Sequence, residues 1–198
     1  MLGTTIPAEE SQKEIIPQQA ILIDPGNLDS GMLSLIEENN YSILGILVTH
    51  DHSHHVRGLK TIMKIYDTEI YAINPLVEGH RANLVRDRQN LDIGPFKVEV
   101  FSIPGHSSDS AIYRIDRLLF TGDVMIAGFL GKTASTYSAA TQIGALREKL
   151  LSLPGDYFIF PGHGPPSTLE AERHFNLDIT TFEQRQNRRS SFKFEFLG

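Results

Sequence analysis

The chain has 198 residues, of which 40% are hydrophobic and 21% are charged, and its formal net charge is −6. This composition is typical of a globular protein and excludes a disordered chain or a long coiled coil. The acidic balance argues against general nucleic-acid binding, and the absence of cysteine excludes disulfides and thiolate metal ligands.

The sequence predicts neither secretion nor a membrane span. It has no signal-peptide pattern and no apolar run near the roughly 18 residues that a span needs. We therefore expect a cytoplasmic protein. The length predicts a single domain over residues 1–184.

The first half of the chain predicts strands that alternate with helices. Short apolar runs typical of buried strands lie at residues 20–23, 42–48 and 69–72. Asp29 or Ser30 is predicted to cap a helix that ends at Asn40, and a second helix is predicted over residues 56–66. Their apolar faces are predicted to carry Met32, Leu33, Leu35, Ile36, Leu59, Ile62, Met63 and Ile65. This order of elements indicates α/β layering.

The second half changes character after an irregular, polar stretch at residues 74–92. Alternating apolar residues predict sequential strands over residues 96–103, 111–115 and 118–121. Such short sequential strands indicate an antiparallel part of a mixed sheet. An amphipathic helix is predicted over residues 139–151, a last buried strand over residues 157–160, and a final helix capped by Ser167 or Thr168.

A distinct tail follows at residues 185–198. Its basic and aromatic residues are Arg185, Arg188, Arg189, Phe192, Phe194 and Phe196. The period of two places the three phenylalanines on one face, which fits an added edge strand or a contact in a homodimer. A tail that rests on its own domain explains the same pattern.

Four of the eight histidines lie within six residues, directly after the strand at residues 42–48. On extended backbone His50 and His52 point the same way, and His54 and His55 follow where the chain turns into a helix. Crowded imidazoles at a strand end need partners for their nitrogens, and a divalent metal ion provides them. The alternative is a solvated histidine-rich turn, against which the spacing argues.

Three further candidate ligands follow apolar strands, each directly after a glycine. They are His106 after residues 100–105, Asp123 after residues 118–122, and His163 after residues 158–162. Loops at strand ends are where α/β proteins gather functional side chains. One such residue would be a weak signal, because it is usually a turn residue, but three after a histidine cluster indicate a metal site.

Over residues 20–176 the sequence resembles the metallo-β-lactamase superfamily, whose signature is H-x-H-x-D-H followed by a lone His, a bridging Asp and a final His. The resemblance implies a four-layer αβ/βα sandwich with mixed sheets and two divalent metals at one rim. His50, His52 and His106 would bind the first metal, His55 and His163 the second, and Asp123 both. Zinc is the expected metal, with iron and manganese as alternatives.

The chain departs from this signature at His54, which stands where the family has an aspartate. Three outcomes are open. His54 replaces the carboxylate as a ligand, which we favour because Asp123 and His163 are kept; or it swings out and leaves a weaker second site; or it acts as a base beside a single metal.

The carboxyl-terminal part resembles short glyoxalase-II-like hydrolases. Pro161-Gly162-His163-Gly164-Pro165 is followed by Ser167, Glu172 and Asn176 at their spacing, with Leu177 in place of a usual proline. The helical domain that binds glutathione in full glyoxalase II is absent. The resemblance therefore implies an enzyme that uses a metal-bound hydroxide to hydrolyse a small thioester or ester. It does not imply that the thiol part of the substrate is glutathione.

Other residues receive narrower predictions. Lys132 is predicted to anchor an anionic part of the substrate and Tyr137 to donate to its carbonyl, although a solvated lysine and a packed tyrosine are the alternatives. Asp24 is predicted to brace the metal loop by hydrogen bonding. Asp109 and Ser110 are predicted to orient His106 or to form a turn. His80 and His174 are read as structural or solvated.

The sequence also allows two other activities. A single-iron oxidoreductase that resembles persulfide dioxygenases would fit the loss of a second-site carboxylate at His54. A phosphodiesterase or nuclease would use the arginines at 81, 86 and 88 against phosphate, but the acidic balance counts against it. A decayed, non-catalytic site is disfavoured by the number of intact ligands.

Overall fold

The computed structural model describes residues 17–182, so the predicted tail and its dimer contact lie outside the described residues. The helices are α1 (Ser30–Glu38), α2 (Ser53–Val56), α3 (Leu59–Ile65), α4 (Thr136–Leu146) and α5 (Leu169–Phe175). The strands of the first half are β1 (Gln18–Ile23), β2 (Tyr41–Leu47), β3 (Ile70–Ala72), β4 (Leu76–Val77), β5 (His80–Arg81), β6 (Asn83–Leu84) and β7 (Asn90–Ile93). The second half contains β8 (Phe96–Ser102), β9 (Ala111–Ile115), β10 (Leu118–Gly122), β11 (Met125–Ile126), β12 (Phe129–Leu130), β13 (Phe158–Pro161) and β14 (Ser167–Thr168).

Two main sheets form the centre of the molecule. The first has the order β1-β2-β3-β6, and its strand pairs are all parallel. The second has the order β14-β13-β10-β9-β8-β7, in which only β10 and β13 pair in parallel. The predicted antiparallel part is therefore confirmed, and the second sheet is the mixed one.

Alternation along the strands creates three cores. In β2, Ile46 packs with Leu59 and Ile62 of α3, whereas Leu47 faces the other way and packs with Val98 and Tyr113 between the sheets. The outer face of the second sheet packs against the helices that follow it, through residues such as Phe101, Leu146 and Leu169. The layers are helix, sheet, sheet, helix, which confirms the predicted four-layer αβ/βα sandwich.

The helix caps also agree with the sequence. The Asp29 side chain accepts a hydrogen bond from the Met32 backbone N–H at the start of α1, and Thr168 accepts one from Ala171 at the start of α5. These caps could be predicted because they depend on residues only three apart.

Several local predictions were wrong. The helix expected over residues 56–66 begins only at Leu59, after a break at which the backbone N–H of Gly58 donates to the Pro25 carbonyl at 2.9 Å. The short helix α2 that precedes the break was not predicted. Leu35 and Ile65, placed on apolar faces, are 57% and 48% exposed. The stretch at residues 74–92 contains β4 to β7, and the hairpin of β11 and β12 was not predicted. The helix expected over residues 139–151 begins at Thr136 and ends in a π-helical turn.

The strand ends place the candidate ligands along one rim. Strands β8, β10 and β13 run in the same direction, because β9 is antiparallel to both β8 and β10 and β13 is parallel to β10, so their carboxyl ends lie at one edge of the second sheet. Contacts of His50 with His106 and Asp123 bring the end of β2 to the same edge. Within residues 17–182 no helix is long and apolar enough to cross a membrane.

Candidate metal centre

The first group of ligand atoms consists of histidine nitrogens alone. His50, His52 and His106 each offer a nitrogen, and the three nitrogens lie within 4.8 Å of one another. The Nε2 of His106 is 3.2 Å from the Nδ1 of His52, and the His50 ring lies edge-on to both of the other rings. This arrangement joins the loop after β2 to the loop after β8.

The second group shares His50 and adds a carboxylate. Atoms of His50, His55 and Asp123 also lie within 4.8 Å of one another. Asp123 Oδ1 is 3.4 Å from His55 Nε2 and 2.7 Å from His163 Nδ1. Asp123 Oδ2 is 4.0 Å from His50 Nε2 and 3.9 Å from His106 Nε2. The two oxygens of one carboxylate therefore face the two groups.

His54 and His163 lie at the open side of this cluster. His163 has a half-exposed side chain, and its ring centre is 5.4 Å from that of His55. The exposed His54 ring is 6.0 Å from the His163 ring, centre to centre. Among the described residues, neither of the two compact ligand groups includes His54 or His163.

Hydrogen bonds behind the cluster fix which ring nitrogens are free. The Thr49 hydroxyl donates its single proton to Asp24 Oδ2 at 2.6 Å, so the hydroxyl oxygen is left to accept from His50 Nδ1 at 3.0 Å. His55 Nδ1 donates to Asp24 Oδ2 at 2.8 Å. His106 Nδ1 donates to the main-chain carbonyl of Lys132 at 2.8 Å. Each partner fixes a tautomer whose Nε2 turns toward the cluster.

Two of these Nε2 atoms are buried without a hydrogen-bond partner, those of His50 and His55. The two residues are only 2% and 3% exposed. An unpaired buried polar atom costs about 1–3 kcal/mol, so it is rare unless something binds it. Imidazole nitrogens and a carboxylate, with no sulfur, fit a divalent ion of the zinc, iron or manganese type.

The charges of the metal-free cluster follow from the same contacts. Burial, together with the neighbouring His55 and His52 rings, lowers the pKa of His50 to about 3. Burial also opposes a charge on His55, but the Asp123 carboxylate 3.4 Å from its Nε2 and the hydrogen bond to Asp24 outweigh burial and raise its pKa to about 9. Burial disfavours the Asp123 carboxylate, yet the nearby His55 ring and the hydrogen bond from His163 hold its pKa well below the usual range. His50 is thus a neutral ligand, whereas His55 must lose a proton to bind a metal.

The remaining predicted residues have varied positions. Asp24 accepts from the Thr49 backbone N–H as well as from its hydroxyl, and so holds the start of the histidine loop. The Lys132 side chain is exposed, and the contact of this residue with the cluster is made by its carbonyl. The Tyr137 ring is 81% exposed on α4. Asp109 accepts from the Asp51 backbone N–H and from Asn74, and Ser110 pairs with Ser107.

The role of Gln142 was not predicted. This fully buried side chain donates from Nε2 to the carbonyl of Val124 at 2.8 Å, and a Cβ on Gly105 would lie 2.4 Å from its Cβ. Gln142 therefore touches the residue after Asp123 and the residue before His106. Its position on the apolar side of a helix gives no sequence signal for such a role.

Glu172 has a similar supporting position behind the hairpin of β11 and β12. Its buried carboxylate accepts from the Gly128 backbone N–H, the Ser167 hydroxyl and the Asn176 amide. The sequence pattern at residues 161–176 singled out Glu172 and Asn176, but only the structure shows that they hold the segment leading to Lys132.

Comparison with known proteins agrees with this geometry. The family model "Metallo-beta-lactamase superfamily" matches residues 15–163. A probable metallo-hydrolase of Bacillus subtilis, YqgX, is 28% identical over 191 residues, which cover 85% of this chain and 90% of the relative. A hydroxyacylglutathione hydrolase of Chromohalobacter salexigens is 27% identical over 148 residues. That match covers 73% of this chain and 57% of the relative, so the chain spans just over half of it.

Solved structures give the same result for the fold. BLEG-1 B3 metallo-beta-lactamase superposes with a TM-score of 0.75 at 24% identity, covering 82% of this chain and 90% of the other. TTHA1623, solved in a di-iron-bound form, superposes with a TM-score of 0.67 at 25% identity, covering 78% and 87%.

Proposed function

Because this chain belongs to the metallo-β-lactamase superfamily, we propose that it is a metal-dependent hydrolase of a small thioester or ester. His50, His52 and His106 hold one divalent ion, and His55, Asp123 and His163 hold a second. Zinc is the expected metal. One observation carries the proposal: two buried Nε2 atoms, of His50 and His55, lie without a partner on either side of the Asp123 carboxylate.

The chain's own residues have distinct tasks in this proposal. Bound metal ions supply Lewis acidity and lower the pKa of a water molecule. Asp123 keeps the two ligand groups together through its two oxygens. Asp24 and the Lys132 carbonyl keep the imidazoles in the ligating tautomer. His54, exposed beside His163, is placed to carry a proton between the cluster and solvent. The name of the Chromohalobacter relative supports an acyl thioester as the substrate class.

The test combines metal content with hydrolysis. We expect up to two metal equivalents per chain in protein purified without chelator, and hydrolysis of a panel of acyl thioesters and esters. His50→Ala should remove metal and activity together, whereas His174→Ala, on an exposed side chain of α5, should change neither. A metal-loaded chain that hydrolyses none of these compounds would refute the proposal, as would full activity of His50→Ala.

The position of His54 supports a second candidate. In this candidate His54, which lies outside both compact groups, does not replace the carboxylate that the family has at the second site. The alternative to a two-metal hydrolase is therefore a chain that holds a single iron and oxidises a persulfide. One equivalent of iron together with oxygen uptake on addition of a persulfide would favour it over hydrolysis.

A further inference from the structure

Gln142 is a fully buried polar residue of α4 whose amide has a hydrogen-bond partner at only one of its two ends. Its Nε2 donates to the main-chain carbonyl of Val124 at 2.8 Å, whereas Oε1 is buried without a hydrogen-bond partner among the described residues. The carbonyl partner fixes the orientation of the amide, because an oxygen in place of Nε2 would face a second acceptor.

The Val124 carbonyl also supports the contact that orients His106. It accepts a second hydrogen bond from the backbone N–H of Gly131 at 3.2 Å. The carbonyl of the next residue, Lys132, accepts from His106 Nδ1 at 2.8 Å. A Cβ on Gly131 would lie 1.6 Å from the carbonyl oxygen of Asp123, so this segment lies directly on the loop after β10. The position of the Lys132 carbonyl therefore depends on the position of Val124.

Gln142 also contacts the backbone that carries the His106 ring. A Cβ on Gly105 would lie 2.4 Å from Gln142 Cβ and 2.8 Å from its Oε1, so the backbone before His106 lies against this side chain. Gly105 has a φ of 149°, a conformation that favours glycine. One side chain therefore contacts both the loop that carries the ring and the backbone that supports the acceptor of its proton.

The His106 ring has a possible hydrogen-bond partner at each nitrogen. Its Nδ1 lies 2.8 Å from the Lys132 carbonyl, and its Nε2 lies 3.2 Å from Nδ1 of His52. A neutral imidazole carries one proton, so it donates either from Nδ1, which leaves Nε2 free to bind a metal, or from Nε2, which prevents metal binding there. Only the Nδ1 proton can be accepted by the Lys132 carbonyl, so the position of this carbonyl decides between the two forms.

Stability alone does not explain an amide at position 142. If an apolar side chain replaced Gln142, the Val124 carbonyl would keep its partner Gly131, and the unpaired Oε1 would be removed. Replacement of a buried polar group under these conditions is close to neutral for stability. The amide is explained instead by the position in which it holds Val124.

We propose that Gln142 is a positioning residue that keeps the Lys132 carbonyl against His106 and so selects the Nδ1–H tautomer of this ring. The inference rests on the metal site of the proposed function and is independent of the substrate. Gln142 acts through Val124, whose carbonyl holds the segment with the proton acceptor, while its contact with Gly105 keeps the loop of the ring at a matching distance.

The first test determines the tautomer in the metal-free chain. Nitrogen NMR of protein labelled in the imidazole nitrogens distinguishes Nδ1–H from Nε2–H on a neutral ring, and His106→Gln identifies the signals of this ring by their loss. We expect Nδ1–H in the unaltered chain and a substantial Nε2–H population in Gln142→Met. An Nε2–H ring in the unaltered chain would overturn the proposal without any variant of Gln142, as would an unchanged tautomer in Gln142→Met.

The second test compares zinc affinity with stability. Gln142→Met should lower zinc affinity, measured against a competing chelator, roughly 10-fold or more, while the urea midpoint of the metal-free chain changes little. Ile143→Ala, at the next and also buried position of α4, should lower the urea midpoint and keep the zinc affinity. A loss of affinity in proportion to the loss of stability in both variants would mean that Gln142 has only a structural role, which refutes the proposal.

The two tests also separate this inference from the proposed hydrolase. A tautomer change in Gln142→Met, in a chain that binds no zinc, would support the positioning role of Gln142 and refute the metal-dependent hydrolase. Zinc binding and thioester hydrolysis that are both unaffected by Gln142→Met would support the hydrolase and refute the positioning role.

Discussion

Which nitrogen of each histidine ring carries the proton decides whether that ring can bind a metal. The Nδ1–H of each ring donates a hydrogen bond to a group behind it: His50 to the Thr49 hydroxyl, His55 to Asp24, and His106 to the Lys132 carbonyl. The Nε2 of each ring therefore faces the centre. A ring of the wrong tautomer would present N–H instead of a lone pair. The groups behind the ligands therefore matter for metal binding nearly as much as the ligands themselves.

Asp24→Asn tests this dependence. The amide keeps the size of the side chain but removes the charge that orients His55 and Thr49, so we expect metal affinity to fall roughly 10- to 100-fold. Metal titration against a competing chelator measures the change. Asp92→Asn, which alters only an exposed pair with Lys97, is the matched control. Equal affinities in the two variants would show that Asp24 has no orienting role.

The two perturbed histidines predict how stability depends on pH in the metal-free chain. His55, with its pKa raised to about 9, stabilises the fold fully below its unfolded pKa of about 6.5, and this contribution is lost as the pH rises through 9. His50, with its pKa lowered to about 3, is stabilising when neutral, so its contribution is lost as the pH falls from about 6.5 toward 3.

We therefore expect the free energy of unfolding of the metal-free chain to be highest near pH 6.5 and to fall on both sides. Urea denaturation in the presence of chelator, repeated across this range, measures it. His55→Gln should flatten the alkaline side only. A constant free energy between pH 6.5 and 9 in the unaltered chain would contradict the role given to His55.

The strand ends bring the ligands together through close backbone approaches. Gly162 follows β13, and its backbone N–H donates to the Gly122 carbonyl at the end of β10. A Cβ at Gly162 would lie 2.3 Å from His55 Cε1 and 2.6 Å from Asp123 Oδ1. Only glycine lets the end of one strand lie this close to ligands carried by others.

Gly162→Ala should displace His55 or Asp123 while the two sheets remain folded. Because a misplacement of about 1 Å can reduce activity on the order of 100-fold, we expect a loss of that size together with weaker metal binding. Gly144→Ala is the control, since a Cβ there meets nothing within 4 Å, and alanine should stabilise α4 by up to about 1 kcal/mol. If both variants keep their metal and activity, the close approach is unimportant.

At the scale of the molecule, the residues of the candidate metal centre come from both sheets. His50 and His55 follow β2 of the first sheet, whereas His106, Asp123 and His163 follow strands of the second. An ion bound by both sets stabilises the folded chain, since the unfolded chain does not bring the ligands together.

Metal removal should therefore lower the melting temperature. Zinc at about 100 times its Kd adds roughly 2.7 kcal/mol, which for a chain of this size raises Tm by about 5–10 °C. Thermal denaturation with chelator and with added zinc measures the difference, and His50→Ala should abolish it. The same Tm under both conditions would mean that the ion does not bridge the sheets.

Features that depend on neighbours along the chain could be predicted from the sequence. Each helix cap was narrowed to one of two adjacent residues, of which Asp29 and Thr168 are the ones used. The strands over residues 42–48 and 111–115 and the order of the candidate ligands after strands also follow from short spacings. The resemblance to the metallo-β-lactamase superfamily rests on the same order of ligands. The four-layer fold was then predicted from that resemblance.

The tertiary structure decided how distant residues meet. It placed the carbonyl of Lys132 against His106, joined Gln142 to Val124, and left His54 outside both compact ligand groups. It also delayed the start of the helix predicted over residues 56–66 to Leu59, where Gly58 contacts Pro25. Each of these depends on strand register and on which loops lie side by side, and residues 18 or more apart in the chain carry no mutual signal in a local pattern.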